Sequence, residues 1–180
     1  MMNATRFATG QRFEDFVASA KEYPELWRLG AKRAEVPATV VADLITLSQP
    51  LHLVVLNEDW CLDAVGTVPP IAKLGELIPD LDVMIMGRDV NPDLMDAHLT
   101  DGGRSIPVVI AYDHDWKELG WWGPRPAPLQ QWAKSVGMSL PKEEKYHYVR
   151  TWYARDRGET TLREVADLLL RCSRPTTTAE

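Results

Sequence analysis

The sequence predicts one α/β domain: a central mixed sheet of about four strands flanked by helices, with extra helices at both ends. Three observations carry this expectation. Leu51–Leu56 (LHLVVL) and Leu81–Met86 (LDVMIM) are largely apolar runs of strand length, as in strands buried on both faces of a parallel sheet. A stretch of helical character separates them. Pro107–Tyr112 then reads as a third strand, turned by Asp113-His114-Asp115 into an antiparallel return over Trp116–Trp121.

At 180 residues the chain suffices for one full core and is short for two. Residues 1–180 are therefore taken as a single domain, with a core of about 38–137, N-terminal helices over 1–37 and C-terminal helices over 138–172. In the N-terminal part, Phe13, Phe16, Val17 and Ala20 fall on one helical face, so 10–20 predicts an amphipathic helix. Pro24 opens a second piece running to Ala34. Pro37 suits the first turn of a third, with Val40, Val41, Leu44 and Ile45 along one side.

After the first strand and the short Asn57-Glu58-Asp59-Trp60-Cys61 connection, a helix is expected from Leu62 to Ile78, kinked by Pro69 or Pro70. Asn91 as N-cap and Pro92 as first helical residue predict a short helix to Leu99. Leu129, Trp132, Ala133 and Val136 mark a closing helix. Thr161 and Glu164 have the spacing of a capping box, ahead of a last helix carrying Leu162, Val165, Ala166 and Leu169. The tail, 173–180, is polar and is expected to be flexible.

The composition narrows the function. A net charge of −6 with no basic stripe argues against a nucleic-acid partner. The first thirty residues hold neither the apolar core of a signal peptide nor a bilayer-length run, so the expected location is cytoplasmic, with no membrane partner. The two cysteines, Cys61 and Cys172, are far apart in sequence. Neither a disulfide scaffold nor a zinc site is expected, and no cofactor is predicted.

Cys61 is the residue poised for chemistry. Only a thiolate attacks a disulfide. A helix N-terminus offers unpaired N–H groups and the positive end of the dipole, a stabilisation of roughly 0.3–2 kcal/mol. Cys61 stands where the first strand gives way to such a helix. Asp63, in the first turn, is a helix-start carboxylate or a proton relay for the sulfur; its charge opposes the helix by raising the thiol's pKa.

The strand–helix–strand, helix, hairpin, helix order resembles the thioredoxin superfamily. The residues that carry the resemblance are Trp60-Cys61 after the apolar strand, a proline inside the following helix, and Ile106-Pro107 at the head of the third strand. Gly103-Arg104-Ser105-Ile106-Pro107, Trp122-Gly123-Pro124-Arg125-Pro126 and Trp152-Tyr153 are similar to a bacterial thioredoxin-like subgroup. The resemblance implies Cys61 as nucleophile, Trp60 shielding one flank of the sulfur, and Pro107 as a cis-proline exposing the Ile106 backbone to an extended substrate. It also implies protein or low-molecular-weight thiols and disulfides as partners. Arg104, with Arg88, is placed on the rim, where it could hold a carboxylate of a small thiol.

One departure limits the chemistry. Dithiol relatives have a second cysteine three positions after the nucleophile, and Ala64 stands there. Two functions are compatible with that. The first is monothiol exchange through Cys61, released by a second small thiol. The alternative is a redox-inactive module binding through the groove by Trp60 and Pro107. Cys172 as a resolving thiol is the weaker possibility. A peroxidase fits worse, because Glu58 replaces the expected Thr, and Leu62-Asp63-Ala64 lacks the Gly-Phe-Ser of iron–sulfur glutaredoxins. His98 and His114 read as structural and solvated. Tyr146, Tyr148, Trp152 and Tyr153 read as packing of the added helix, with a homodimer interface as the minor reading.

Overall fold

The computed structural model of the protein describes residues 1–173. Four helices come first: α1 (Ala4–Phe7), α2 (Phe13–Ser19), α3 (Pro24–Arg33) and α4 (Ala38–Leu44). The central unit follows as β1 (Leu51–Asn57), α5 (Leu62–Leu77), β2 (Leu81–Gly87), α6 (Pro92–Ala97), β3 (Val108–Asp113), β4 (Glu118–Trp122) and α7 (Ala127–Lys134). The chain then continues through α8 (Val136–Ser139), α9 (Lys142–Asp156) and α10 (Glu159–Ser173). The expected tail lies outside the described residues from 174 onward, and so does the Cys172 side chain.

The sheet has the order β2-β1-β3-β4. β1 pairs with β2 in parallel, from Leu51 opposite Leu81 to Asn57 opposite Gly87. β1 pairs with β3 in antiparallel fashion, and β3 with β4, across a bulge at Ala111/Tyr112. The central position of β1 explains its composition. Leu53, Val54, Val55 and Leu56 are all fully buried, because both faces are covered by helices. A mixed four-stranded sheet with this architecture is the predicted α/β fold.

On the outer edge of β2, Gln11 and Ile85 exchange both backbone hydrogen bonds at 2.8 Å. The predicted first helix, 10–20, is thus shorter than expected: Gln11 runs as extended chain and α2 covers Phe13–Ser19, while α1 is a further helical turn ahead of it.

Helix α5 carries both prolines in its interior, which leaves the carbonyls of Val65 and Gly66 without their usual helical donors. Helix α3 crosses there through Gly30, where a Cβ would lie 3.0 Å from Pro69 Cγ and 3.5 Å from the Val65 oxygen. The missing side chain lets one backbone approach another.

Asn91 is the N-cap residue of α6, with Pro92 opening the helix, as expected, but the capping contacts expected at α6 and α10 differ. Asn91 does not cap α6 through its side chain; its amide donates to Gly87 O at 2.9 Å and its oxygen accepts from Arg6 at 3.0 Å. Thr161 is inside α10, buried, with no partner for its hydroxyl among the described residues. Asp156 caps that helix instead, taking the Thr160 N–H at 3.2 Å. Glu164 accepts from Trp122 Nε1 at 2.7 Å and from the Ala127 N–H at 2.8 Å, fixing α10 to β4 and to the start of α7. No helix among the described residues is long and apolar enough to cross a membrane.

Candidate functional site around Cys61

Cys61 is the N-cap residue of α5, with extended backbone angles, and its carbonyl accepts from the Val65 N–H. Its place follows from β1, whose end in the sheet centre delivers the connection to the helix start. The thiol is 7% exposed and donates to the Ile106 carbonyl at 3.3 Å. The Ile106–Pro107 peptide is cis. Pro107 is itself buried, and the Gly123 backbone (φ +139°) lies so close that a Cβ there would sit 2.2 Å from the Pro107 oxygen. The Ile106 carbonyl, expected to face an extended substrate, is therefore already engaged by the thiol.

The thiol is not acidic. Burial pushes its pKa up to about 11, and the Asp63 charge adds to the rise. The N–H groups of Ala64 and Asp63 and the charge of Arg125 oppose this without overcoming it. The sequence shows the helix end and the opposing Asp63 charge, but not the burial of the sulfur. Removal of the sulfur from water is the larger effect.

Both carboxylate oxygens of Asp63 are engaged. Arg125 grips it in a two-pronged pair, Nε to Oδ1 at 2.9 Å and Nη2 to Oδ2 at 2.5 Å. The Tyr153 hydroxyl donates to Oδ1 at 3.0 Å. Arg125 comes from the loop after β4 and also donates to Gln130 at 3.2 Å. Burial works against its charge, but Asp63 holds its pKa above the ordinary value. Tyr153 comes from α9, and burial followed by the Asp63 charge raises its pKa. Its ring is seated on Gly66, where a Cβ would meet ring carbons at 2.5, 2.7 and 2.8 Å. Tyr153 was read from the sequence as aromatic packing; its hydroxyl also belongs to the site.

Asp59 performs a similar task on the other side of Cys61. Its carboxylate accepts the backbone N–H groups of Lys21 at 2.8 Å and Glu22 at 3.0 Å. Its carbonyl accepts from the buried Trp27 Nε1 at 2.8 Å. The N-terminal helices are thus fastened to the loop before the cysteine, and the C-terminal helices to the turn after it.

The remaining candidates separate. Trp60 is 44% exposed, with the Arg88 guanidinium carbon 4.8 Å from its ring centre. Arg88 also donates to the Arg104 carbonyl at 3.2 Å. The Arg104 side chain is turned to Asp96, with two hydrogen bonds of 2.7 Å. His98 is buried, its ring nitrogens facing Leu94 O at 2.6 Å and Glu118 at 3.0 Å. His114 is exposed beside Asp115. Among the described residues no group of His, Cys, Asp or Glu is arranged to hold a metal ion. The Tyr148 ring stacks on Trp132 at 3.7 Å, and Tyr146 stays exposed.

This fold is that of a thioredoxin. The sequence matches the thioredoxin family model over residues 10–145, and the chain belongs to that family. Among solved structures it is similar to a protein of unknown function from Pseudomonas aeruginosa, at 20% identity and a TM-score of 0.70, covering 94% of this chain and 98% of that one. An HIV epitope-scaffold is also similar, at 20% identity and a TM-score of 0.68, with the same coverage. At that identity the likeness is one of fold. No curated protein matches the sequence.

Proposed function

We propose that this thioredoxin-family protein acts as a redox-quiescent binding module, with Cys61 kept as a buried, protonated thiol. The observation that carries this reading is the engagement of the thiol by the Ile106 carbonyl at 7% exposure. Two further facts support it. Ala64 stands at the resolving position and supplies no second thiol for a dithiol cycle at this motif. The expected groove floor, Ile106 and Pro107, is buried too, while on the rim Trp60, with the partly exposed Arg88 stacked against it, and Arg104 are open to solvent. A partner in this reading docks on that stack.

The reactivity of the thiol tests the proposal. A rise from the ordinary 9.0 to about 11 makes the thiolate about a hundredfold scarcer near neutral pH. The more basic thiolate is the better nucleophile, with a Brønsted slope of about 0.4–0.5, which recovers somewhat under tenfold. Alkylation by iodoacetamide at pH 7.5 is therefore expected to run about tenfold slower than for an unhindered cysteine, rising without a midpoint below pH 10. A midpoint below pH 8 overturns the proposal.

Monothiol exchange is the second reading, and one observation favours it. The Ala64 and Asp63 N–H groups act to stabilise a thiolate at Cys61. Under this reading Cys61→Ser abolishes transfer of a small thiol from a mixed disulfide, and equal activity in both proteins excludes it.

A further inference from the structure

Cys61 is surrounded by charge from three separate parts of the chain. Asp63 lies in the first turn of its own helix, Arg125 comes from the loop after β4, and Tyr153 from α9. These are the titratable and charged groups that bear on the thiol, Tyr153 in its neutral form. The carboxylate is largely buried, with 14% of its side chain exposed against 24% for the Arg125 side chain. Two hydrogen bonds from a planar guanidinium and a third from a phenol leave it little freedom to turn. The Tyr153 ring cannot advance, because Gly66 already receives it in direct contact.

We propose that Arg125 and Tyr153 are positioning residues for Cys61, fixing the Asp63 carboxylate in the first turn of the helix that Cys61 caps, so that a carboxylate and a guanidinium of opposed charge tune the buried thiol. The C-terminal helices are thereby part of the site. Asp63 disfavours the thiolate and Arg125 favours it, so the pair acts as a matched set. This inference concerns the ionisation of Cys61 under either use of it.

The test is the pH–rate profile of iodoacetamide alkylation for the full chain and four variants, with circular dichroism as the folding control. A one-unit shift in the thiol midpoint changes the observed rate about threefold after compensation by nucleophilicity. Asp63→Asn is expected to speed alkylation at pH 8 about threefold or more, and Arg125→Gln to slow it to a similar degree. Arg125→Lys retains the cation but not the two-pronged grip, and its profile is expected to fall between those of the wild type and Arg125→Gln. The double variant Asp63→Asn with Arg125→Gln returns toward the wild-type profile. Mere loosening of the site would move both single variants toward faster reaction. Same-direction shifts, the absence of any shift, or an Arg125→Lys profile equal to that of Arg125→Gln overturns the proposal. Where Asp63→Asn does not fold, the Arg125→Gln and Arg125→Lys comparison decides alone. The wild-type rate tests the quiescent reading separately, so the two can fail independently.

Discussion

Gly66→Ala offers a quantitative test of the junction between α5 and α9. The added methyl would lie 2.5 Å from Tyr153 Cγ and 2.7 and 2.8 Å from its two Cδ atoms. Carbon atoms in contact prefer about 3.5–4.0 Å, so the ring must retreat by about 1 Å. Retreat stretches the 3.0 Å hydrogen bond to Asp63. Overpacking of this kind costs about 1–3 kcal/mol, and a hydrogen bond to a carboxylate contributes about 1.5–3 kcal/mol. Against this, replacing an interior helical glycine by alanine gains about 0.8–1 kcal/mol. The net expectation is a loss of about 1–3 kcal/mol. In a Tyr153→Ala background the obstruction is gone, and the same substitution should stabilise by about 0.5–1 kcal/mol. Urea unfolding followed by tryptophan fluorescence measures all four corners of this cycle. A Gly66→Ala effect of the same sign and size in both backgrounds would refute the reasoning.

Asp59→Ala should free the N-terminal helices from the cysteine loop, because the Lys21 and Glu22 N–H groups lose their common acceptor. Hydrogen exchange at these two amides is expected to accelerate, with a stability loss of about 1–3 kcal/mol; unchanged protection there would contradict the assignment. Asp93 gives a pH signature. The Arg6 hydrogen bonds hold its carboxyl pKa at about 2, down from 3.8, so the pair adds stability above about pH 4 that is lost as pH falls toward 2. With 55% of the Asp93 side chain exposed, solvent screening discounts the contribution to under about 1 kcal/mol. Asp93→Asn should therefore destabilise at pH 7 and cost nothing at pH 2, a difference checked by urea titrations across that range. An equal loss at both pH values would point to packing.

The strands and the cysteine position were legible because local pattern decides them. A nearly continuous apolar run such as Leu51–Leu56 has few uses other than a central strand, and the short connection after it leads into the next helix. Capping was harder to read. Thr161 and Glu164 have the right spacing, yet Asp156 reaches the helix start first and Glu164 serves two donors elsewhere. The electrostatic surroundings of Cys61 were least legible. Asp63 is bound by Arg125 and Tyr153, which tertiary folding brings from 62 and 90 positions away. No local spacing rule spans such distances. The sequence likewise shows the helix dipole, which acts within one turn, but not the burial that outweighs it at the sulfur.

The bridge between Gln11 and Ile85 bears on what the outer margin of the sheet can accept. A sheet margin with free N–H and C=O groups is a template on which another chain can grow a strand. Here the chain fills that template itself, with one residue bonded in both directions at 2.8 Å. The opening residues therefore serve as a stopper as well as a scaffold. A chain shortened past Gln11 would offer the β2 margin to its neighbours, and a second copy could supply the missing bonds.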